Sequence, residues 1–142
     1  MSCCTIWETF DENNNIIKEY LHWKLLLRNR NTTLGNCVAI TKRHIERFSD
    51  IRSEEMEDFS HVVKDVEHAL KKSFNYDKIN YLMLMMKDDH THFHIIPRYS
   101  SQRKFSGLIW YDEEWPKPTI IQKDLLDSKI LAEIKTKIKA NI

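Results

Sequence analysis

Seven histidines occur in 142 residues, and three of them share one short run, His90-Thr91-His92-Phe93-His94-Ile95-Ile96. Imidazole titrates near neutrality, has two distinct nitrogens, and serves as a nucleophile, a general acid or base, or a metal ligand. In an extended segment a spacing of two puts all three rings on one face, with about 6.5–7 Å between successive Cα atoms. Phe93 and Ile95 then point the other way, into a core, with Thr91 on their side near the start of the strand. A row of imidazoles gains nothing from burial without partners, so its face is expected to look outward or into a cleft. Two chemistries fit. In one, the His-x-His spacing presents His90, His92 and His94 to a metal such as zinc, helped by Asp88, Asp89 or His44. In the other, a neutral imidazole attacks phosphorus while its neighbours donate to phosphate oxygens.

The elements that must position this row can be read from periodicity. Trp23–Leu27 and Cys37–Ile40 are short apolar runs of strand length, separated by polar punctuation and Gly35. Asn80–Met86 and Thr91–Arg98 are two more, with a turn at Asp88 and Asp89. Between the pairs, residues 53–74 predict a long helix, with Ser53 as its N-cap and Glu54 and Glu55 at the positive end of its dipole. Met56, Phe59, Val62, Val63, Val66, Ala69, Leu70 and Phe74 form one apolar stripe along it. Asn13–Asn15 are placed to cap a helix over Ile16–Leu21. Residues 101–123 read as a loop with Pro116 and Pro118, closed by an amphipathic helix from about Asp124 to Lys139. Strands before and after one long helix, without regular alternation, favour an α+β fold with an antiparallel sheet.

Composition removes several functions. Net charge is +1, from 22 Lys+Arg against 21 Asp+Glu, so no charge excess exists to displace counterions from nucleic acid. Gly35 and Gly107 are the only glycines, which excludes a glycine-rich phosphate loop and a dinucleotide-binding fingerprint. No apolar run reaches the roughly 20 residues of a membrane helix, and the first fifteen residues lack the charge and apolar stretch of a secretory signal. Adjacent Cys3 and Cys4 and an isolated Cys37 fit reduced thiols in a cytoplasmic protein.

The histidine run resembles the signature of the histidine-triad (HIT) nucleotide hydrolases and transferases, His-φ-His-φ-His-φ-φ with φ apolar. The Pro97-Arg98 that follows is as in the dinucleoside-polyphosphate-hydrolysing branch. Upstream, Gly35 and Ile40-Thr41-Lys42-Arg43-His44-Ile45 match the family's strand and its exit. The resemblance covers about residues 20–100 and leaves 101–142 as an extension of a single domain. It implies an antiparallel five-stranded sheet with one long central helix and a C-terminal helix. It also implies cleavage at the α-phosphorus of a nucleotide, either a purine mononucleotide derivative or a dinucleoside polyphosphate. His92 would be the nucleophile, His94 a donor to a phosphate oxygen and His90 an orienting group, with no cofactor, in a homodimer. Asn36 stands where many members have histidine, and Arg28 near the place where members grip the ribose with Asn or Asp. Met86-Lys87-Asp88-Asp89 replaces a longer Gly-rich loop, so Lys87 becomes the candidate phosphate-side cation. A shorter site edge would suit a bulkier or differently attached leaving group. Arg98 is a further phosphate candidate, although the ordinary role for such a side chain is to lay its stem along the strand and face solvent. The aromatic cluster Trp110, Tyr111 and Trp115 is read as packing over the sheet or as a lid. Two other functions stay open: metal binding by the histidine row, and nucleotide binding with little catalysis.

Overall fold

Alternation along the strands sorts side chains onto two unlike faces of one sheet, and those faces determine everything around the histidines. The computed structural model describes residues 5–121 and 124–142; Cys3 and Cys4 lie outside them. In chain order the elements are α1 (Ile6–Thr9), α2 (Glu12–Asn15), β1 (Ile16–Glu19), β2 (Trp23–Leu27), β3 (Cys37–Thr41), a 3-10 turn (Phe48–Asp50) and α3 (Ser53–Phe74). There follow β4 (Lys78–Leu82), β5 (His92–Arg98), β6 (Arg103–Phe105), β7 (Leu108–Trp110) and α4 (Ser128–Ala140). The main sheet has five antiparallel strands in the order β1-β2-β3-β5-β4, and β6 and β7 form a separate hairpin. This is the expected α+β fold.

One face of the sheet presents Trp23, Leu25, Leu27, Cys37, Ala39 and Ile95. They pack against Val62, Val66, Ala69, Leu70 and Phe74 of α3 and Ile134 and Ile138 of α4. The C-terminal residues expected as an extension therefore supply part of the main core. The other face presents Leu26, Val38 and Ile40, which pack against Ile6 and Phe10 of the N-terminal segment as a second, smaller cluster. β2 and β3 are apolar on both faces because both faces are covered.

Helix α3 starts on Arg52 rather than Ser53: the Arg52 N–H donates to the Glu55 carboxylate at 2.8 Å. Glu55 itself is buried and receives Arg43 Nη2 at 2.8 Å and Nε at 3.1 Å. Of the predicted stripe, Met56 is exposed, and its neighbour Glu55 is the first-turn residue that is buried. Residues 16–19 form an edge strand and not a helix. The Asn15 side chain is buried and donates to Phe10 O at 3.0 Å, so it closes α2 instead of opening a new helix. The strand expected over 80–86 leaves the sheet after Leu82, and Met85 takes a positive φ of 52°. The segment expected as loop contains the β6–β7 hairpin, turned by Ser106 and Gly107 at φ 54° and 72°, the paired left-handed residues that two-residue hairpin turns require. Helix α4 begins at Ser128, with the Asp127 carboxylate accepting from Lys129 N at 2.7 Å.

Gly35 heads β3 under two constraints. Its φ is +89°, and a Cβ there would stand 3.0 Å from two Phe74 ring carbons and 3.2 Å from Leu70 Cδ2. Gly107, at φ +72°, has nothing within 4 Å of the same point. Gly35→Ala is expected to cost about 2–4 kcal/mol, backbone strain and ring displacement together, and Gly107→Ala about 1 kcal/mol. Urea unfolding of the two variants measures the difference.

Candidate functional site

Phe93 and Ile95 set the orientation of the histidines. Phe93 stacks on Phe59 of α3, with ring centroids 4.8 Å apart, and Ile95 is fully buried in the main core. With the odd positions fixed there, His92 and His94 must project from the opposite face. They lie in register with Ile40 and Val38 of β3, and their rings meet edge to face at 5.1 Å. The face is not open to water. Phe10 lies 6.0 Å from both rings, and His92 and His94 are 4% and 5% exposed.

His90 sits before β5, not in it. Thr91, the position in the run that is not apolar, is an anchor. Its N–H and Oγ1 both donate to Ile45 O at 2.8 Å, and its own carbonyl accepts from Thr41 N at 3.2 Å. The segment is thereby stitched to the exit of β3. The His90 ring then donates through Nε2 to Thr41 O at 2.7 Å, and packs against His44 at 4.9 Å and Trp7 at 5.7 Å.

Tautomers follow from the partners, because a carbonyl oxygen only accepts. His92 Nδ1 lies 2.7 Å from His90 O, so Nδ1 carries the proton and Nε2 keeps its lone pair. His90 is likewise protonated on Nε2; its buried Nδ1 has no hydrogen-bond partner, nor does that of His94. Burial pushes all three imidazoles below the ordinary histidine range, His94 down to about 3. The Arg28 cation adds to the effect on His92 and His94, while donation to a carbonyl works against it for His90 and His92. The row is neutral at pH 7.

His92 and His94 form the floor of a cleft of about 510 Å³. Arg28, Asn29 and Arg30 line it after β2, Met85, Met86, Lys87 and Asp88 line it between β4 and β5, and Phe10, Ile121 and Leu125 complete its walls. Of the residues singled out from the sequence, the structure therefore brings His92, His94, Arg28 and Lys87 together at one cleft, with His90 buried behind them.

Asn36 and Arg98 are not among the residues lining it. Asn36 is fully buried in the β2–β3 loop. Its Oδ1 accepts from Thr32 N at 2.8 Å, and its Nδ2 donates to Thr33 O at 3.0 Å and Thr33 Oγ1 at 2.8 Å, which spends the amide on the turn. Arg98, expected to face solvent, is 3% exposed. It grips Asp112 through Nε at 2.6 Å and Nη2 at 3.1 Å, and also reaches Asn80 Oδ1 and Lys117 O. That fork ties the segment after β7 to the sheet. In the same region Trp110 is half-buried against the main core and Tyr111 is exposed.

The three imidazoles of the row do not converge on one point. Among the described residues, the cluster whose donor atoms lie within 4.8 Å of one another is His44, Glu46 and Asp89, at the rim of the fold. The sequence reading missed Asn29, Arg30, Met85, Ile121 and Leu125 of the lining, and it missed Phe10 beside both histidines. Phe10 stands in an N-terminal stretch with no motif, and only the tertiary fold brings it beside the histidines.

A strand-borne histidine row at the floor of a cleft, on a five-stranded antiparallel sheet backed by one long helix, defines the class of protein. The model of the HIT domain matches residues 11–101, and the chain belongs to the HIT family, a family of nucleotide hydrolases and transferases. An uncharacterised HIT-like protein of Methanocaldococcus jannaschii is 35% identical over 69 residues, which span 46% of this chain and 54%, about half, of that relative's length. A hypothetical histidine triad nucleotide-binding protein from Sulfolobus tokodaii superposes with a TM-score of 0.73 at 18% identity, covering 97% of this chain and 89% of that one. The diadenosine triphosphate hydrolase of Plasmodium falciparum does so with a TM-score of 0.64 at 17% identity, covering 89% and 75%. No helix among the described residues is long and apolar enough to cross a membrane.

The buried neutral row predicts a pH dependence of stability. The folded pKa values lie below the unfolded value of about 6.5, so the unfolded chain binds more protons between that value and the folded ones. Stability is therefore full above about pH 6.5 and falls as pH drops below it, towards about 3 in the case of His94, by at most about 1.4 kcal/mol per pH unit for each ring. Urea unfolding between pH 7 and 5 should show this slope, and His94→Phe should reduce it.

Proposed function

We propose that this chain is a nucleotidyl hydrolase or transferase that cleaves a phosphoanhydride or phosphoramidate bond at the α-phosphorus of a purine nucleotide, through a covalent nucleotidyl-His92 intermediate. The observation that carries the reading is the 2.7 Å bond from His92 Nδ1 to the carbonyl of His90, at the floor of the cleft. It fixes the tautomer, and burial keeps the ring neutral, so the Nε2 lone pair is available, the state a nitrogen nucleophile needs at neutral pH.

The steps balance with residues of this chain. His92 Nε2 forms a bond to phosphorus, and the bond from phosphorus to the leaving group breaks. The leaving group departs with its electron pair and takes a proton from solvent. Water then attacks the phosphorus and gives up a proton to solvent, the N–P bond breaks with its electron pair returning to Nε2, and the imidazole regains its starting state. Capture on nitrogen divides one displacement into two easier ones. His94 supplies a donor to a phosphoryl oxygen, and Lys87 a positive charge at the side where the family's longer loop is replaced. His90 acts as a positioning residue through its carbonyl. Phe10 offers an apolar face to the base.

The likeness to the Plasmodium diadenosine triphosphate hydrolase supports a dinucleoside polyphosphate as one substrate, and the short 83–91 loop leaves room for a larger leaving group. The reading includes a homodimer, for which β4 offers an open sheet edge, and a reducing, cytoplasmic setting, which suits the buried free thiol of Cys37.

Quenching the reaction with diadenosine triphosphate or adenosine 5′-phosphoramidate should leave an adenylyl mass on the peptide containing His92. His92→Ala should lower turnover by about 10³-fold or more, and chelator treatment should leave it unchanged. Turnover that survives His92→Ala sinks the proposal. Nucleotide binding with neither adduct nor turnover would instead make the chain a binding module.

A further inference from the structure

Two arginines of this fold are buried to a similar degree and treated in opposite ways. Arg98, 3% exposed, has a carboxylate, an amide oxygen and a carbonyl around its guanidinium. Arg28, 6% exposed, has one partner for its guanidinium among the described residues: Nη1 donates to Arg30 O at 2.9 Å. Its Nε is buried with no hydrogen-bond partner, and none of the ion pairs among the described residues involves it. Burial pulls its pKa down to about 10, which leaves it charged at neutral pH. A desolvated cation without a counter-charge is costly for the fold, and this one lines the cleft.

Strand register separates Arg28 from the nucleophile. His94 lies level with Val38 and Leu26, and His92 level with Ile40 and Lys24. Arg28 N donates to Asn36 O at 2.8 Å, one step past the Leu27–Cys37–Ile95 rung. Its backbone is thus two strands, about 9–10 Å, to one side of His92 and about 13 Å further along the strand direction. Lys87 enters from the loop between β4 and β5, on the other side of β5 and at the His92 end. The two residues thus enter the cleft from diagonally opposite corners of the histidine pair.

We propose that Arg28 holds a second anionic group of the substrate, separate from the phosphoryl group that His92 attacks, so that the cleft selects nucleotides bearing two distinct anionic groups. The inference rests on the nucleotidyl-transfer reading of the same cleft. A guanidinium edge matches a phosphate or carboxylate with two parallel donors, and such an anion supplies the charge that the fold withholds. A sugar hydroxyl supplies a neutral acceptor and no counter-charge. The second anion belongs either to a further phosphate of a 5′-polyphosphate chain or to a phosphate on the sugar.

Calorimetric titration of the intact chain with AMP, ADP and adenosine 3′,5′-bisphosphate tests this without requiring turnover. At least one of the two doubly anionic ligands should bind about tenfold or more tightly than AMP. A gain with ADP assigns the anion to the polyphosphate chain, and a gain with the bisphosphate assigns it to the sugar. In Arg28→Gln the gap should close to within about threefold, and Arg28→Lys, with charge but no fork, should keep part of it. Equal affinity for all three ligands in the wild-type chain overturns the proposal, whether or not the variants fold. So does a gap that survives in a folded Arg28→Gln, and so does binding of none of the three. A gap without any His92 adduct would remove the nucleotidyl-transfer reading and leave the anion site standing; an adduct without a gap would do the reverse.

Discussion

A main-chain carbonyl can only accept a hydrogen bond, and the site depends on that one-way rule applied twice. Thr41 O takes the proton-bearing nitrogen of His90, and His90 O takes that of His92. Each contact settles a tautomer with an uncharged group as the ring's hydrogen-bond partner. A carboxylate in the same place would also orient the ring, but it would raise its basicity and favour the imidazolium. With carbonyls and burial instead, the ring stays neutral and keeps a lone pair to give. The geometry holds because the carbonyls belong to backbone that is itself pinned, by Thr91 to Ile45 and by β3 to β5.

The sheet makes this arrangement possible by having two separate jobs on its two sides. Towards α3 it carries the larger hydrophobic cluster, with Trp23 anchored through Nε1 to Glu55 O at 2.7 Å. Towards the histidines it carries a small cluster made with the N-terminal helices. Large apolar residues at alternate positions of β5 keep the strand in register, and a one-residue slip would turn the imidazoles into the main core. The histidine face thus borrows its precision from packing that it does not touch.

Much of this was legible in the sequence, and for identifiable reasons. β2, β3, β5 and α3 have periodic or continuous apolar patterns long enough to read, and the histidine spacing is informative on any strand. What escaped depends on single side-chain choices. Asn15 bonds backwards to Phe10 and so leaves a strand after it, where a polar tripeptide before apolar residues reads as a helix cap. Met83–Met86 are apolar enough to continue β4, yet the chain turns away and lends Leu84, Met85 and Met86 to the cleft. Ser106-Gly107 is a turn signal flanked by strands of only three residues each, too short for a pattern to register. Asn36 and Arg98 carry functional-looking chemistry, but tertiary partners claim them: Thr32 and Thr33 for one, Asp112 for the other. Arg28 looks similar on paper, and its want of partners is visible only in three dimensions.

The N-terminal cover is a modest structure. It consists of two helices of four residues each, tied down by Asn29 to Thr9 O, Lys135 to Asn14 O and the Lys24–Glu12 pair. Yet it places Phe10 6.0 Å from both the His92 and the His94 ring. Its apolar contacts form a cluster distinct from the one beneath α3. The lid over the histidine cleft and the main core are thereby two separate packing problems, joined through the strands that both share.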